Sequence, residues 1–400
     1  MSEQRHKHMY RILSLFSGCG GLDFGFVGGF DFFGRHYMDH RVEVVFANDI
    51  DKHASKCYND NIGIGHSLCL TKDIRDIPID EIPNFDIMTS GFPCQPFSIA
   101  GSRKGVKDEH GRGTLFEECE RILRGSIERG HKPKAFVFEN VKGILSSKLE
   151  DGTPVTEEIT KRMNALGYKV SIRLLKACDY GVPSTRERVF VVGVSEECPG
   201  YDFDKLQDIV REYDIPSVMF GTHRKLMVGN VIQHTEKLTG NEYLPFSPGS
   251  QDMINKVGVC KVTAEDLKLF GTDKDTIEDI PDNLKRGRSW KDVPYDLLPV
   301  RLQNMRDNPK KYRSPVFYRR HNIGEINGTI TASATPERCA ITHPLENRRY
   351  TVREIARIQS FPDTFFFDGI PLKERYKVIG NSVPPVLAWI VSEQLIRTIC

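Results

Sequence analysis

Between residues 10 and 195, short apolar runs alternate with longer stretches in which apolar positions return every three or four residues. The runs at 12–16, 42–47, 85–90, 135–138 and 189–194 are predominantly apolar, and each is followed by Ser, Asn, Gly or Glu. Such runs read as strands covered on both faces, and the stretches 116–124 and 157–166 read as helices between them. The alternation predicts an α/β fold, a doubly wound parallel sheet with helices on both sides. Beyond about 196 the rhythm is lost, and residues 199–280 are polar and irregular. A strong helical pattern returns at 384–398.

At 400 residues the chain is long enough for two domains, and 39% apolar with 28% charged residues is ordinary for a globular protein. No apolar run reaches the ~18 residues a membrane helix needs, and the start has no apolar segment of a secretory signal. The 10 cysteines are scattered with no Cys-x-x-Cys pair, which supports neither a zinc site nor a dithiol and points to a reducing cytosol. The net charge of +2 says little, but residues 281–320 hold eleven Lys/Arg against four Asp/Glu. Trp290, Tyr295, Tyr312, Phe317 and Tyr318 are interleaved there, a composition suited to a nucleic-acid surface or to a solvated basic face.

The chemistry concentrates at the ends of the predicted strands. Residues 91–98 read Gly-Phe-Pro-Cys-Gln-Pro-Phe-Ser. Pro93 and Pro96 restrict the backbone on either side of Cys94, which suits a fixed nucleophile or a structural cysteine in a tight turn. Its place after a strand is where open α/β sheets hold ligands. The turn Phe16-Ser17-Gly18-Cys19-Gly20-Gly21 follows the first strand and allows close approach of a ligand to the backbone. It is not a dinucleotide fingerprint, because Asp23 stands where the third glycine belongs, and no Gly-Lys dipeptide exists to make a P-loop. Asp49, ending the second strand, suits ribose hydroxyls; Ile50 suits an adenine face; Asp73 and Ile74 suit its amine; each alone equally suits a helix cap or a core position. Together they describe an adenosine-type pocket without phosphate handling, which fits S-adenosylmethionine better than a dinucleotide. Glu139 ends an apolar strand, a costly place for a carboxylate unless it is used or caps a helix. Arg186 and Arg188, two apart on an extended segment, point the same way and suit an anion or carbonyl, or a pairing with Glu187 or Glu139.

With these motifs in this order, the chain resembles the prokaryotic C5-cytosine-specific DNA methyltransferases of the type II restriction–modification class. Further matches are Arg112-Gly113-Thr114-Leu115-Phe116, Glu139-Asn140-Val141, the segment 351–363 and Gly380-Asn381-Ser382-Val383. The resemblance runs from 12 to about 395 and omits 196–320, the family's variable target-recognition region. It implies an S-adenosylmethionine-dependent, Rossmann-like catalytic domain of residues 1–195 plus 376–400. Residues 196–375 then form a smaller, irregular target-recognition domain and hinge. Cys94 is implied as the nucleophile that adds to cytosine C6, Glu139 as the contact to N3 and the exocyclic amine, and Arg188 as the contact to O2. Arg186 is implied to support Arg188 or to orient Glu139. The cofactor residues implied are Phe16, Gly18, Cys19, Gly20, Gly21, Asp49, Ile50, Asp73, Ile74, Pro93, Leu115, Asn381, Ser382 and Val383. Gln95, Ser98, Arg103, Lys104 and Arg112 are expected DNA contacts; Arg103 and Lys104, with Lys107, lie on a glycine-punctuated stretch that suits a lid closing over DNA or a simple surface loop. One departure stands out: Ser184 occupies a position where the family often has Gln.

The expected partners are double-stranded DNA and a separately acting restriction endonuclease, with no metal and no membrane. A monomer in the cytoplasm, associated with the nucleoid, is expected. A tRNA-modifying branch shares the motifs, but the roughly 125 residues between Val194 and Arg320 favour DNA. Intact Cys94, Glu139 and Arg188 argue against a catalytically silent DNA-binding regulator.

Overall fold

The computed structural model describes residues 9–93, 115–149, 151–235, 238–272, 274, 276–309 and 316–399. Among the described residues nine strands are formed: β1 (Tyr10–Leu15), β2 (Phe30–Phe32), β3 (Arg35–Tyr37), β4 (Val42–Asp49), β5 (Cys69–Thr71), β6 (Ile87–Ser90), β7 (Ala135–Val141), β8 (Tyr168–Lys176) and β9 (Glu187–Ser195). Seven of them make one sheet in the order β5-β4-β1-β6-β7-β9-β8, and β2 and β3 form a small hairpin. The β1, β4, β5, β6 and β7 pairings are parallel. β6 is buried at every position and β7 at all but its last, which is why both read as continuous apolar runs. β1 lies between β4 and β6, so the chain order reverses there and the strand ends open into a crevice.

Two features depart from the sequence expectation. β9, expected in the parallel set, runs antiparallel to both β7 and β8. β5 and β8 were not expected; β5 is three residues long, and β8 is an edge strand of mixed polarity.

Four helices flank the sheet: α1 (Gly21–Val27), α2 (Lys52–Asn61), α3 (Leu115–Glu128) and α4 (Val155–Ala165). Phe116, Cys119, Ile122 and Leu123 of α3 pack with Ile159 and Met163 of α4 on one face. The other face is covered by α1 and the last helix, Pro385–Thr398. That helix returns to the first part of the chain: a side chain on Gly25 would overlap Ala388, and the Trp389 indole donates to the Met38 carbonyl at 2.8 Å. Tyr201, Phe203, Leu206, Ile209, Val210 and Ile215 join this same core, so the expected boundary at 195/196 falls inside a packed unit.

Glu393 of the last helix is held by His40 at 3.0 Å and by Arg397. Burial alone would raise its carboxyl, but His40 and Arg397 outweigh it and hold the group down to about 2. A depressed carboxyl stabilises the fold above its ordinary 4.5 and loses that contribution as pH falls toward 2. Glu393→Gln is therefore expected to lower stability at pH 7 by about 2 kcal/mol after allowance for solvent screening. Unfolding midpoints of the two proteins should converge below pH 4.5; a gap independent of pH would refute the assignment.

A second core gathers residues from Met227 to Ile379, together with Cys19, Ala54 and Cys57. Strands are nearly absent from this lobe among the described residues, so its loop carbonyls need other donors. Buried arginines supply them. Arg320 donates to the carbonyls of His343 and Glu346, Arg349 to those of Leu244 and Ala334, and Arg353 to those of Thr239, Pro362 and Phe365. Arg357 bonds the carbonyls of Val231 and Gln233 and pairs with Asp363 at 2.7 Å. The segment 351–363 is thus a structural anchor, its helix Val352–Ile358 capped by Thr351 and Glu354.

The basic stretch 281–320 is corrected accordingly. Arg320 is fully buried, and Arg306 donates to the carbonyls of Trp290, Lys291 and Val293. Trp290, Phe317 and Tyr318 are core residues, not stacking platforms. Among the described residues of the stretch, Lys285, Arg286, Lys291, Arg301 and Tyr295 are the exposed basic and aromatic ones, and Lys310, Lys311, Tyr312 and Arg313 lie outside the described residues.

Candidate active site

A cavity of about 830 Å³ lies at the carboxyl ends of β1, β4, β6 and β7. Its floor is the turn after β1. Phe16 adopts φ 52°, a left-handed conformation rare for an aromatic residue and typical of functional sites. Gly18 follows at φ 58° and donates its N–H to Asp49 Oδ2 at 2.8 Å. Gly21 begins α1, and a side chain there would overlap Ser382 Oγ and the Val383 carbonyl. The segment 381–383 is thereby seated against the turn, and Asn381, Ser382 and Val383 all line the cavity.

Asp49 also accepts from Asp51 N at 2.8 Å. Burial pushes its carboxyl up, while the Asp51 and Gly18 amides favour the ionised form. Ile50 is 69% exposed although apolar, and it faces the cavity as an uncovered flat surface. Asp73 and Ile74 form part of the wall, but the Asp73 carboxylate caps its own turn and binds Arg75 Nε at 2.9 Å. Pro93 and Leu115, the described residues on either side of 94–114, both line the cavity. Cys19 and Gly20 do not. Cys19 turns into the neighbouring core, where Sγ lies 3.6 Å from the Val378 carbonyl, and Gly20 packs against Tyr58 and Ile62.

Glu139 and Arg188 line the same cavity, and a side chain on Gly91 would touch both the Phe16 carbonyl and Glu139 Oε2. β7 and β9 are paired antiparallel with Val141 opposite Arg188, which brings the two side chains to one edge. Arg188 Nε lies 2.8 Å from Glu139 Oε1, an ion pair at the cavity wall. Both are largely buried; burial lowers the Arg188 pKa, and Glu139 opposes the shift. Asn140 donates to the Phe92 carbonyl at 3.0 Å and accepts from Val141 N, tying the end of β7 to the segment leading to Pro93.

Arg186 is not part of the cavity wall. Its Nη1 donates to the carbonyls of Ile330 and Gly380 at 3.1 and 3.0 Å, so the expected orientation of Glu139 by Arg186 is not what these bonds do. Ser184 is fully buried, with its hydroxyl on the Gly328 carbonyl at 3.3 Å, which removes it from any DNA surface. Cys94, Gln95, Ser98, Arg103, Lys104 and Arg112 lie outside the described residues. All eight described cysteines are buried. Among the described residues no cluster of His, Cys, Asp and Glu is arranged to hold a metal, and no helix is long and apolar enough to cross a membrane.

Sequence reasoning missed Asp51 and Asn140. Asp51 caps α2, lines the cavity and binds Lys377 Nζ at 2.6 Å. Its signal was a third polar residue after Asn48-Asp49; that of Asn140 was a second polar side chain closing an apolar strand.

Residues 10–397 match the family described as C-5 cytosine-specific DNA methylase. The chain is 31% identical over 411 residues to the Type II methyltransferase M.FnuDI of Fusobacterium nucleatum, covering 97% of this chain and 95% of that one. It is 33% identical over 380 residues to the Type II methyltransferase M.NgoFVII of Neisseria gonorrhoeae, covering 94% and 83%. The Dnmt2 methyltransferase of S. pombe shares the fold, with a TM-score of 0.57 and 18% identity over 96% of this chain and 98% of that one.

Proposed function

Because the chain belongs to the C-5 cytosine-specific DNA methylases and is a DNA cytosine methyltransferase of the Type II class, we propose that Cys94 is its nucleophile, Glu139 and Arg188 its base-holding pair, and S-adenosylmethionine its methyl donor. The observation that carries this reading is the convergence of Glu139 and Arg188 on the cavity floored by the glycine turn.

The cavity fits the cofactor on its own features. Gly21 lets the cavity-lining segment 382–383 close against the turn, Asp49 keeps acceptor directions beyond its two amide bonds, and exposed Ile50 offers an apolar cover for a flat base. S-adenosylmethionine, when bound, supplies an electrophilic methyl group. Gly21→Ala is expected to weaken binding of S-adenosylhomocysteine at least about 10-fold, since the added carbon collides with backbone at Val383 as well as with Ser382. Calorimetric titration reads this directly, and unchanged affinity would remove the turn from the cofactor site.

Carbon 5 of cytosine is a weak nucleophile. Addition of the Cys94 thiolate to C6 would make C5 an enamine carbon able to accept the methyl group, whose bond to the sulfonium sulfur would break to leave S-adenosylhomocysteine, dividing one hard step into two. Glu139 carries a proton to N3 and accepts from the exocyclic amine, which neutralises the charge that develops as sulfur adds. Arg188 holds O2. Loss of the C5 proton to a base then expels Cys94. C5 and C6 are shielded in the duplex stack, so the cytosine is rotated out, at a cost of a few kcal/mol. Gln95 and Ser98 contact phosphate and fill the vacated space, and Arg103, Lys104 and Arg112 close over the DNA. The loop-rich lobe reads the sequence, with exposed Lys285, Arg286, Lys291 and Arg301 on phosphates. One chain carries both chemistry and recognition, so it acts as a monomer, and the modified sequence is shielded from a separately acting endonuclease.

The test is bisulfite sequencing of DNA from a methylation-free bacterial host expressing the chain. Protected cytosines in one short recurring sequence support the reading and reveal that sequence. No protection, from folded protein that binds S-adenosylhomocysteine, overturns it.

A further inference from the structure

Arg186 is 1% exposed and lies two residues before Arg188, yet it is not part of the cavity wall. Its Nη1 bridges the Ile330 carbonyl (3.1 Å) and the Gly380 carbonyl (3.0 Å), and Nη2 reaches the Asn381 carbonyl (3.5 Å). These acceptors belong to two separate segments. Ile330 is part of the core of the loop-rich lobe, and Gly380 and Asn381 end the helix Leu372–Asn381, which packs in that core and brings Asn381 to the cavity beside the glycine turn. The neighbouring residues reinforce the junction. Thr185 N donates to the Asn327 carbonyl at 2.9 Å, and Ser184 Oγ bonds the Gly328 carbonyl while accepting from Arg186 N at 3.2 Å. A side chain on Gly380 would overlap the backbone at Thr331, so the two bridged segments also press directly on each other. Arg320 and Arg353 are buried in a similar way, but their acceptors all lie within the loop-rich lobe. Arg186 alone among these three spans from that lobe to the cavity wall, and it does so from the strand entry that carries Arg188.

We propose that Arg186 is a positioning residue that couples cofactor binding to DNA docking, by clasping the base of the recognition lobe to the cavity wall at Gly380–Asn381. The proposal rests on the reading of the cavity as the cofactor site and of the loop-rich lobe as the DNA reader. The fork geometry is essential. A guanidinium presents several donors in one rigid plane and satisfies carbonyls on two segments at once, whereas an ammonium is a point donor on a flexible stem. A ligand that settles the Asn381 wall therefore settles Ile330 through the same plane, and by linkage DNA seated on the lobe favours the cofactor in equal measure.

The experiment measures the affinity of the full-length chain for its specific duplex, with and without saturating S-adenosylhomocysteine, in the parent, R186K and S184A. In the parent, S-adenosylhomocysteine should tighten DNA binding by about 5-fold or more, within the usual range of such couplings. In R186K that factor should fall to within about twofold of unity, while each ligand alone still binds within about threefold of the parent. S184A removes the hydroxyl and keeps the guanidinium, and it should give an intermediate factor. A coupling factor retained in R186K overturns the proposal, as does loss of both affinities with the factor unchanged, which is the signature of a merely structural residue. If R186K does not melt cooperatively, S184A decides, and an undiminished factor there overturns it. Methylation by the parent is assayed in the same samples. A parent that neither methylates nor binds S-adenosylhomocysteine sinks the functional reading itself. One that does both without coupling sinks only the clasp.

Discussion

Replacing Cys94 by serine is expected to abolish methyl transfer, by on the order of 10⁴-fold or more, while affinity for the specific duplex stays within about threefold. A serine hydroxyl is far less acidic than a thiol and does not add to C6 at neutral pH, so C5 is never activated. Protein–DNA contacts, by contrast, are distributed over phosphates and base edges and scarcely depend on one sulfur atom. Incorporation of labelled methyl groups reads the first quantity and a gel shift the second. A duplex with fluorine at C5 sharpens the test. Without a C5 proton to remove, expulsion of sulfur is blocked, and the parent should remain covalently joined to the DNA while Cys94→Ser does not. Equal loss of methylation and DNA binding would make Cys94 a support of its loop and not the nucleophile.

Glu139→Gln is expected to lower the single-turnover rate by about 10²–10⁴-fold at saturating substrates. Glutamine keeps the shape and still bridges N3 and the exocyclic amine, but it has no proton to give to N3 as the charge develops. The affinity for S-adenosylhomocysteine should stay within about threefold, because Glu139 is assigned to the base and not to the cofactor. The melting temperature should fall modestly, because Arg188, 2.8 Å away and largely buried, loses its counter-charge. A rate within fivefold of the parent would show that Arg188 and the loop suffice without proton donation.

What could be read from the sequence divides along physical lines. Strands buried on both faces write themselves as apolar runs, so β6 and β7 were visible, and with them the places where Glu139 and the Cys94 segment begin. Strand direction leaves no such trace: the 189–194 run looks like its neighbours, yet β9 is antiparallel. β5 has one buried residue in three, too few to make a pattern. The glycine turn and Asp49 were legible because positive φ and a carboxylate at a strand end have few uses, but the inward turn of Cys19 depends on packing against Val378, 359 positions away. Arginines were the least legible. Arg186, Arg306 and Arg320 look in sequence like any basic residue, and only the fold reveals that carbonyls, not phosphates, are their partners. The place of Cys94 itself rests on its motif.

The arginine anchors of the loop-rich lobe carry a consequence for redesign. In a sheet, inserting one residue shifts every later pairing and turns core side chains outward. A loop pinned at separate points by Arg320, Arg349, Arg353 and Arg357 has no such register to lose. The spans between anchors are free to lengthen, shorten or change composition while the pins hold the scaffold. A library that randomises those spans and leaves the four arginines untouched is the natural route to variants addressing new DNA sequences with the same chemical centre.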